Sequence, residues 1–325
     1  MPSSQADRSS AASDVEGLAL VAELSAVIIA ASVDEPMVLV RPDVPVDTLP
    51  AGPLQSGHRT LEAGLRAWVE QQTDLHLGYV EQLYTFGDTD RIDMPGRGGR
   101  SLSIAYLALV RALRASARSG ARWQNVYTYL PWEDWRDGRP AVLETIETYL
   151  KTWVKDSGDT GTLREKRAAL AFGLGTDSWS DELVLDRYEL LYEAGFVREA
   201  RRDGESPPLT AMVDHPMGLD HRRILATALG RLRGKIKYRP VIFELMPESF
   251  TLLDLQRTVE GLSGIRLHKQ NFRRLVETQG LVEETGELQT ETGGRPARLV
   301  RFRREVLLER PSPGLRLSST KRPAN

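Results

Sequence analysis

Apolar residues in the first third of the chain follow strand patterns, with one helical segment among them. The runs ALVAELSAVIIA, PMVLVRPD, YVEQLYTFGD and LSIAYLALVRAL are rich in β-branched and aromatic residues and predict strands. The segment TLEAGLRAWVEQQTDL places Leu61, Leu65, Trp68 and Val69 at helical spacing and predicts an amphipathic helix. This part of the chain is therefore predicted to be an α+β domain built around one central helix.

The middle of the chain changes from strand to helical spacing. The segments AVLETIETYLKTWVKD and DELVLDRYELLYEAGFV repeat apolar residues every three or four positions, which predicts two helices. The stretch between them, SGDTGTLREKRAALAFGLGTDSWS, is punctuated by glycine and serine, and REARRDGESPPLT is a polar linker. We interpret the region as a helical insert that packs on a neighbouring domain or supports dimerisation.

The last third predicts three helices followed by a two-stranded ribbon. The first helix, DHRRILATALGRLRGKIKY, has Asp220 as its candidate N-cap, and Thr251 caps the second, TLLDLQRTVEGLSG. The third, HKQNFRRLVETQGLVEE, ends at Gly280 and leads to the strand-like runs LVEETGE and RPARLVRFR. The apolar face of the first helix consists of Ile224, Leu225, Ala228, Leu229 and Leu232. This order is typical of a winged helix-turn-helix.

Length and composition limit the class of protein. A chain of 325 residues predicts two domains, and its 41% hydrophobic and 27% charged residues are typical of a globular protein. No apolar run is long enough to span a membrane, and the N-terminus lacks the pattern of a signal peptide. The absence of cysteine excludes disulfides and thiolate zinc sites and favours a reducing compartment. We expect a cytoplasmic protein.

The overall charge of −2 conceals two halves of opposite sign. Residues 221–325 contain 21 Lys and Arg against 11 Asp and Glu, whereas residues 1–220 contain 22 against 34. A basic C-terminal half favours a polyanionic partner, and nucleic acid is the simplest one. The alternative is that the two halves neutralise each other across an internal interface.

The stretch AGPLQSGHRTLEAGLRAWVEQQTDL resembles the signature of the Nudix family with its carboxylates exchanged. That signature runs Gly, five residues, Glu, seven residues, Arg-Glu-apolar-any-Glu-Glu-any-Gly-apolar. The matching positions here are Gly52, His58 for the first Glu, Arg66 for the Arg, Ala67, Trp68, Glu70 and Gln71, with Asp74 near the last glycine after one extra residue. The spacing of the signature is kept, but most of its acidic residues are replaced.

The exchanged residues predict binding rather than hydrolysis. Nudix hydrolysis requires a divalent metal, and Mg²⁺ is held chiefly by carboxylate oxygens. Glu70 stands alone between Ala67 and Gln71, so we expect no metal site. The cleft before the helix is predicted to bind a nucleotide diphosphate through backbone amides, His58, Arg59 and Arg66, with Glu70 beside them. The alternative is a solvated helix face on which Arg66 pairs with Glu62 or Glu70.

Further segments resemble the NrtR family of Nudix-related transcriptional regulators. In the first domain these are YVEQLYTFGDTDR and SIAYLALV; the C-terminal matches are DHRRILATALGRLRGKIKYRPVIFELMPESFTLLDLQRTVEG, KQNFRRL and GGRPARLVRF. The resemblance implies a Nudix-like α/β/α sandwich that no longer hydrolyses, fused to a winged helix-turn-helix. It also implies a repressor of NAD-related genes that binds ADP-ribose and then releases DNA. Tyr84 and Phe86 are candidates to stack on the adenine, or else core residues.

The predicted organisation has five parts. They are a tail at 1–16, the Nudix-like effector-binding domain at 17–135, the helical insert at 136–214, the winged helix-turn-helix at 215–310 and a second tail at 311–325.

The winged domain offers two elements to DNA. A recognition helix presents its N-terminal residues to base edges, and the wing reaches phosphates or the minor groove. The predicted DNA contacts are Lys269, Gln270, Asn271, Arg273 and Arg274 on the third helix, Arg295 and Arg298 in the wing, and Lys235 and Lys237 after the first helix. Phe272 is predicted to face the core.

The leading hypothesis is therefore a ligand-responsive DNA-binding regulator without enzymatic activity or cofactor, acting as a homodimer on a double-stranded operator. A metal-dependent hydrolase of ADP-ribose, or of another nucleoside diphosphate derivative, is the alternative, and only that alternative requires Mg²⁺. A winged module that recruits proteins instead of DNA is a third possibility.

Overall fold

The fold was taken from a computed structural model of the chain. The structure describes residues 19–32, 34–42, 46–87, 99–111, 120–155, 158–175, 178–203, 215–289, 296–309, 311 and 313–315. Of the predicted site residues, Arg295 lies outside these ranges. Within them, no helix has both the length and the apolar character needed to cross a bilayer.

A six-stranded mixed sheet forms the first domain. Its strands are β1 (Ala19–Ser32), β2 (Glu35–Val40), β3 (Ala51–Pro53), β4 (Tyr79–Phe86), β5 (Gly99–Val110) and β6 (Arg122–Asn125). The order is β4-β5-β1-β2-β6, with β3 also paired to β1. β1 and β5 run parallel in the centre, and the other pairings are antiparallel. The four strands predicted from the apolar runs are confirmed.

Helices cover both faces of this sheet. The predicted central helix is α1 (Leu61–Thr73), whose Leu65 and Val69 pack with Leu24, Ala26 and Ile28 of β1. The opposite face of the sheet belongs to the larger core cluster, which includes residues of the helices that follow. A short helix, α2 (Val126–Tyr129), and a 3-10 turn (Pro131–Glu133) end the domain. The result is the predicted α/β/α sandwich.

The described part of the insert contains three α-helices, although the apolar spacing predicted two. α3 (Val142–Lys155) and α5 (Val184–Glu193) match the predictions, and α4 (Gly161–Phe172) lies in the stretch to which we assigned no helix. α4 buries only Ala168, Ala171 and Phe172, so its sequence carries a weak apolar stripe. It ends at Gly173, which takes the left-handed conformation with φ 62°.

A long helix, α6 (His221–Tyr238), connects the modules. Its predicted apolar face is fully buried, and so are Arg222 and Arg233 on other sides of the helix. A helix buried on several sides lies between packed elements rather than at the surface. Asp220 occupies the N-cap position as predicted, but its side chain makes no capping hydrogen bond, and its backbone (φ −95°, ψ 20°) is not extended.

The C-terminal domain has the predicted winged helix-turn-helix order. It consists of β7 (Phe250–Thr251), α7 (Leu252–Ser263), α8 (Lys269–Thr278), β8 (Val282–Gln289), β9 (Ala297–Phe302) and α9 (Val306–Glu309). The second sheet has the order β7-β9-β8. Thr251 caps α7 as predicted, in a reciprocal pair of hydrogen bonds with Asp254.

Candidate functional site

The loop before α1 is held by a tryptophan that lies against a glycine. The Trp68 indole N–H donates to the carbonyl of Pro53 at 2.8 Å. A Cβ atom on Gly52 would lie 2.4 Å from the indole ring, so no side chain fits there. β3 and α1 are thereby fixed to each other across the loop that carries His58 and Arg59. The glycine of the Nudix-like spacing thus has a packing role in this chain.

His58 is part of the same packed loop. Its Nδ1 accepts the backbone N–H of Gln55 at 3.1 Å, and the ring lies over Gly64, where a Cβ would come within 2.6 Å. The ring meets Trp68 edge-on, with centroids 6.4 Å apart. Because Nδ1 accepts a hydrogen bond, the neutral ring carries its proton on Nε2. His58 can therefore donate one hydrogen bond to a ligand, while Arg59 beside it is exposed.

Arg66 takes a structural position. Its guanidinium donates to Glu62 at 2.9 Å, to the carbonyl of Gly78 at 3.1 Å and to the carbonyl of Leu77. The side chain therefore ties α1 to the connection that leads into β4. The pairing of Arg66 with Glu62 is the alternative that the sequence left open, and a ligand at Arg66 would have to compete with these bonds.

Glu70 has little support as a metal ligand. Its carboxylate is half exposed and lies 3.4 Å from Nδ1 of His76. In the part of the chain that the structure describes, no three side chains of His, Cys, Asp or Glu come together in a way that would hold a metal ion. Of the acidic positions of the Nudix signature that fall on α1, only the one at Glu70 keeps a carboxylate.

The two predicted aromatic residues lie on the other face of the sheet from α1. The register of β4 against β5 shifts between Gln82 and Thr85, so strand alternation is interrupted there. Phe86 packs against the larger core cluster, and the Tyr84 hydroxyl accepts a hydrogen bond from Arg231 of α6 at 3.2 Å. The structure therefore separates Tyr84 and Phe86 from His58, Arg59, Arg66 and Glu70, and the predicted effector residues do not form one cleft.

A buried charge cluster joins the three modules, and the sequence analysis did not find it. The Glu133 carboxylate accepts hydrogen bonds from Arg187 of α5 at 2.5 and 2.9 Å and from Arg233 of α6 at 2.5 Å. All three side chains are fully buried. Burial by itself would raise the pKa of Glu133, but the two guanidinium groups outweigh it and hold the pKa below its ordinary value.

The same cluster holds the winged domain against the sheet domain. Arg233 donates to the carbonyl of Leu262 at 2.9 Å, and the Tyr127 hydroxyl donates to the carbonyl of Gly261 at 2.6 Å. The backbone N–H of Trp135 donates to the carbonyl of Gly264 at 2.7 Å. α7 is thus bonded at its C-terminal end to residues of the sheet domain and of α6. Any rotation of the winged domain must break these hydrogen bonds.

The basic C-terminal half is largely neutralised inside the molecule. Many of its cations pair with carboxylates of residues 1–220: Arg222 with Glu199, Arg223 with Glu189, Arg233 with Glu133, Lys235 with Glu81, Lys237 with Asp181 and Glu182, Arg257 with Asp34, and Arg266 with Asp137. The alternative of internal neutralisation is therefore correct for much of the charge asymmetry.

The cations that remain lie at α6, on α8 and after β9. Among the described residues of this half, those with no described carboxylate within ion-pair distance are Arg231 and Arg239 at α6, Lys269, Arg273 and Arg274 on α8, and Arg304 after β9. Arg298 and Arg301 pair across the wing with Glu284 and Glu283, both at 2.6 Å. α8 is thus the element of the winged domain on which positive charge is concentrated and uncompensated.

α8 has the two faces that a recognition helix needs. Phe272 and Val276 are buried against the domain, as predicted for Phe272. The predicted contact residues Lys269, Gln270, Asn271, Arg273 and Arg274 are all exposed. The sequence therefore places polar and basic groups on one side of the helix while its apolar residues anchor the other.

Lys235 and Lys237 are placed differently from the prediction. Lys235 bonds to Glu81 at 2.5 Å and to the Tyr79 hydroxyl at 2.9 Å, and Lys237 bonds to Asp181 at 2.9 Å. Both ammonium groups thus hold α6 to its neighbours. Because both groups are already paired, we do not propose them as DNA contacts.

Comparison with known proteins gives matches to both parts of the chain. Residues 242–302 match the family model of the NrtR DNA-binding winged helix domain. A curated relative from Acinetobacter baylyi, an ADPR-responsive transcriptional repressor called NtrR, is 41% identical over 86 residues. The match covers 26% of this chain and spans about a third (34%) of that relative.

Solved structures show the same overall fold. NrtR of Shewanella oneidensis in complex with a 27mer DNA is 21% identical with a TM-score of 0.53, covering 87% of this chain and 94% of that one. A MutT/nudix family protein of Enterococcus faecalis is 16% identical with a TM-score of 0.50, covering 93% of this chain and 89% of that one. The sequence motifs indicated a resemblance to NrtR proteins, and these matches confirm it. They also confirm the predicted fold class.

Proposed function

We propose that this protein, whose C-terminal domain is an NrtR winged helix domain, is a DNA-binding transcriptional repressor that responds to a nucleotide ligand. The proposal is carried by the exposed basic face of α8. Its cations have no described carboxylate partner, whereas the other cations of the winged domain are mostly paired. Lys269, Gln270, Asn271, Arg273 and Arg274 are the proposed contacts to the duplex, together with Arg298 of the wing and, outside the described residues, Arg295.

ADP-ribose is the effector that we propose, and NAD-related genes are the proposed targets. Support comes from the Acinetobacter relative, which is itself described as responsive to ADPR. In the loop before α1, His58 and Arg59 are free to meet phosphate oxygens, whereas Arg66 is already bonded to backbone carbonyls.

We propose a homodimer on a palindromic operator in the cytoplasm, because two-fold symmetry doubles the DNA contacts. We also propose the predicted domain limits: the Nudix-like domain ends at residue 135, the insert spans 136–214, and the winged helix-turn-helix begins at residue 215.

Binding of promoter DNA and its release by ligand test the proposal. We expect the full chain to bind a labelled fragment from its target promoter at nanomolar concentration, and ADP-ribose to lower that affinity. Fluorescence anisotropy at several salt concentrations measures both effects, because phosphate contacts make the affinity fall steeply as salt rises. Ribose 5-phosphate serves as the matched control ligand.

The outcomes separate the parts of the proposal. Weak, salt-insensitive binding would favour a module that recruits proteins and would disprove the regulator. DNA binding that no NAD-related nucleotide alters would remove the effector and leave the DNA-binding role intact.

We also propose that the Nudix-like domain does not hydrolyse its ligand. The single carboxylate of Glu70 is insufficient to assemble the metal cluster that activates water. Incubation with ADP-ribose and Mg²⁺ or Mn²⁺ is expected to give no turnover above a protein-free blank, measured by release of AMP. Steady turnover that Glu70→Gln abolishes would establish the hydrolase instead.

A further inference from the structure

A groove lies between β4, α5 and α6, on the face of the sheet opposite α1. It has a volume of about 520 Å³, within the range of small-molecule sites. Its walls come from all three elements: Tyr84 from β4, Leu185 from α5, and Arg231, Tyr238 and Arg239 from α6 and its end. The groove therefore adjoins the sheet domain, the insert and the helix that leads to the winged domain.

The floor of the groove is built from glycines. Gly230 and Gly234 lie one turn apart on α6 and line the groove where the chain approaches α5. A Cβ atom on Gly230 would lie 2.9 Å from the carbonyl of Glu182. A side chain in place of Gly230 would push Glu182 away, whereas a Cβ on Gly234 would make an ordinary contact with the Glu182 carboxylate at 3.4 Å. Gly230 therefore keeps α6 and the start of α5 close together, and neither glycine adds a side chain to the groove.

The charges that line the groove leave a positive surplus. Glu182 is paired with Lys237 at 2.7 Å, and Lys235 is paired with Glu81 at 2.5 Å. No described carboxylate pairs with Arg231 or Arg239. Arg231 lies against the ring of Tyr84 and donates to its hydroxyl, and Arg239 donates to the carbonyl of Pro311 at 2.9 Å. Two guanidinium groups therefore remain available for an anion.

Aromatic rings stand beside these guanidinium groups. Tyr84 is 52% exposed and Tyr238 is 60% exposed, which is unusual for large rings in a concave site. The Arg231 guanidinium lies 5.6 Å from the centroid of the Tyr84 ring. Exposed aromatic faces next to unpaired arginines are the combination that binds a flat ring joined to phosphate groups.

We propose that this groove binds a nucleoside diphosphate, with its phosphates on Arg231 and Arg239 and its base on Tyr84. The two arginines are eight residues apart, about 12 Å along the axis at the rise of an α-helix. A ligand with both an aromatic end and a charged end spans such a site better than a simple anion. The site is distinct from the loop before α1, and it goes beyond the function proposed above.

Calorimetry on the full chain with ADP, adenosine and pyrophosphate tests the inference. We expect ADP to bind, and the double variant Arg231→Gln/Arg239→Gln to weaken ADP and pyrophosphate at least about 10-fold, because charge-assisted hydrogen bonds to phosphate are lost. Tyr84→Ala is expected to weaken ADP and adenosine but not pyrophosphate, and Tyr84→Phe to bind ADP as the wild type does. Lys151→Gln/Lys166→Gln removes the same charge from exposed positions of α3 and α4 and is expected to change nothing.

The contrary outcomes are distinct from failure of the proposed repressor. No ADP binding at millimolar concentration, or equal binding by the Arg231/Arg239 double variant, would disprove the site. If that variant lost DNA affinity or changed its oligomeric state while binding ADP normally, the groove would serve a duplex or a second copy, and the inference would be wrong. ADP binding that needs both arginines, in a chain whose DNA affinity no ligand alters, would support this site and refute ligand-controlled repression.

Discussion

Replacing Glu133 by glutamine is expected to lower the free energy of unfolding by about 3–5 kcal/mol, the range for removing one partner of a buried ion pair. The substitution keeps the size of the side chain but leaves Arg187 and Arg233 buried with no carboxylate between them. Urea denaturation at pH 7, followed by tryptophan fluorescence, measures the change. The emission comes from six tryptophans, of which Trp132 and Trp135 flank Glu133 in sequence.

Two further variants separate the charge effect from a general packing effect. Glu144→Gln, at an exposed position of α3, is expected to change the stability by no more than about 0.5 kcal/mol. A triple variant with Glu133→Leu, Arg187→Met and Arg233→Met is expected to recover only part of the loss. Apolar residues of similar volume often replace a buried ion cluster without penalty, but the carbonyls of Ala171, Ser180 and Leu262 lose their donors. A loss below about 1 kcal/mol in Glu133→Gln would show that the cluster does not stabilise the junction.

The contribution of Glu133 also depends on pH, with a defined sign. Its pKa in the folded protein is lowered from the ordinary value of 4.5. The unfolded chain therefore takes up a proton first as pH falls, and stability is lost below that value. We expect the difference between wild type and Glu133→Gln to be constant from neutral pH down to about the ordinary glutamate pKa and to shrink at lower pH. A difference that grew on acidification would contradict the charged state assigned to Glu133.

Removing the cations of α8 is expected to weaken DNA binding by at least about 100-fold, since hydrogen bonds from charged groups contribute about 1.5–3 kcal/mol each. The variant is Lys269→Ala/Arg273→Ala/Arg274→Ala. All three residues are exposed, so the fold should be unaffected. Each cation that contacts a phosphate is also expected to reduce the slope of log affinity against log salt by about one. Fluorescence anisotropy across a salt series measures the affinity and the slope together.

A matched variant controls for overall charge. Lys151→Ala/Lys155→Ala/Lys166→Ala removes the same number of cations from the insert, at exposed positions remote in sequence from the winged domain. Its DNA affinity is expected to stay within a few-fold of the wild type. Equal losses in the two triple variants would mean that only net charge matters, and would refute α8 as the recognition helix.

The buried cluster also limits how a ligand can act on the winged domain. The hydrogen bonds to Gly261, Leu262 and Gly264 hold α7 to the sheet domain and α6 in one orientation. A ligand shifts that orientation only as far as it binds one arrangement more tightly than the other. α5 and α6 both donate to Glu133, through Arg187 and Arg233, and both line the groove of Arg231 and Arg239. The groove and the interdomain hydrogen bonds therefore share these two helices.

Local patterns in the sequence determined the elements and their order. The apolar runs of β1, β2, β4 and β5, the capped start of α7 and the exposed basic side of α8 all follow from spacing within a single segment. The glycine-ended helices were also predictable, because glycine enters the left-handed conformation without strain. Helix α4 escaped detection because its buried residues are mostly alanines.

Only the tertiary structure decided which charges meet and which face a strand residue takes. Glu133 finds its arginines 54 and 100 positions along the chain, and no spacing rule links residues so far apart. The shift in register inside β4 places Tyr84 beside Arg231 and away from α1, whereas the sequence left its position open between a ligand-stacking and a core role. Ion pairs across the domain junction likewise decide the role of each cation in residues 221–325. Some pair with carboxylates of residues 1–220 and hold the fold together, whereas others on α6 and α8 have no described carboxylate partner. Segment patterns thus determine local conformation, whereas side-chain roles depend on packing between segments distant in sequence.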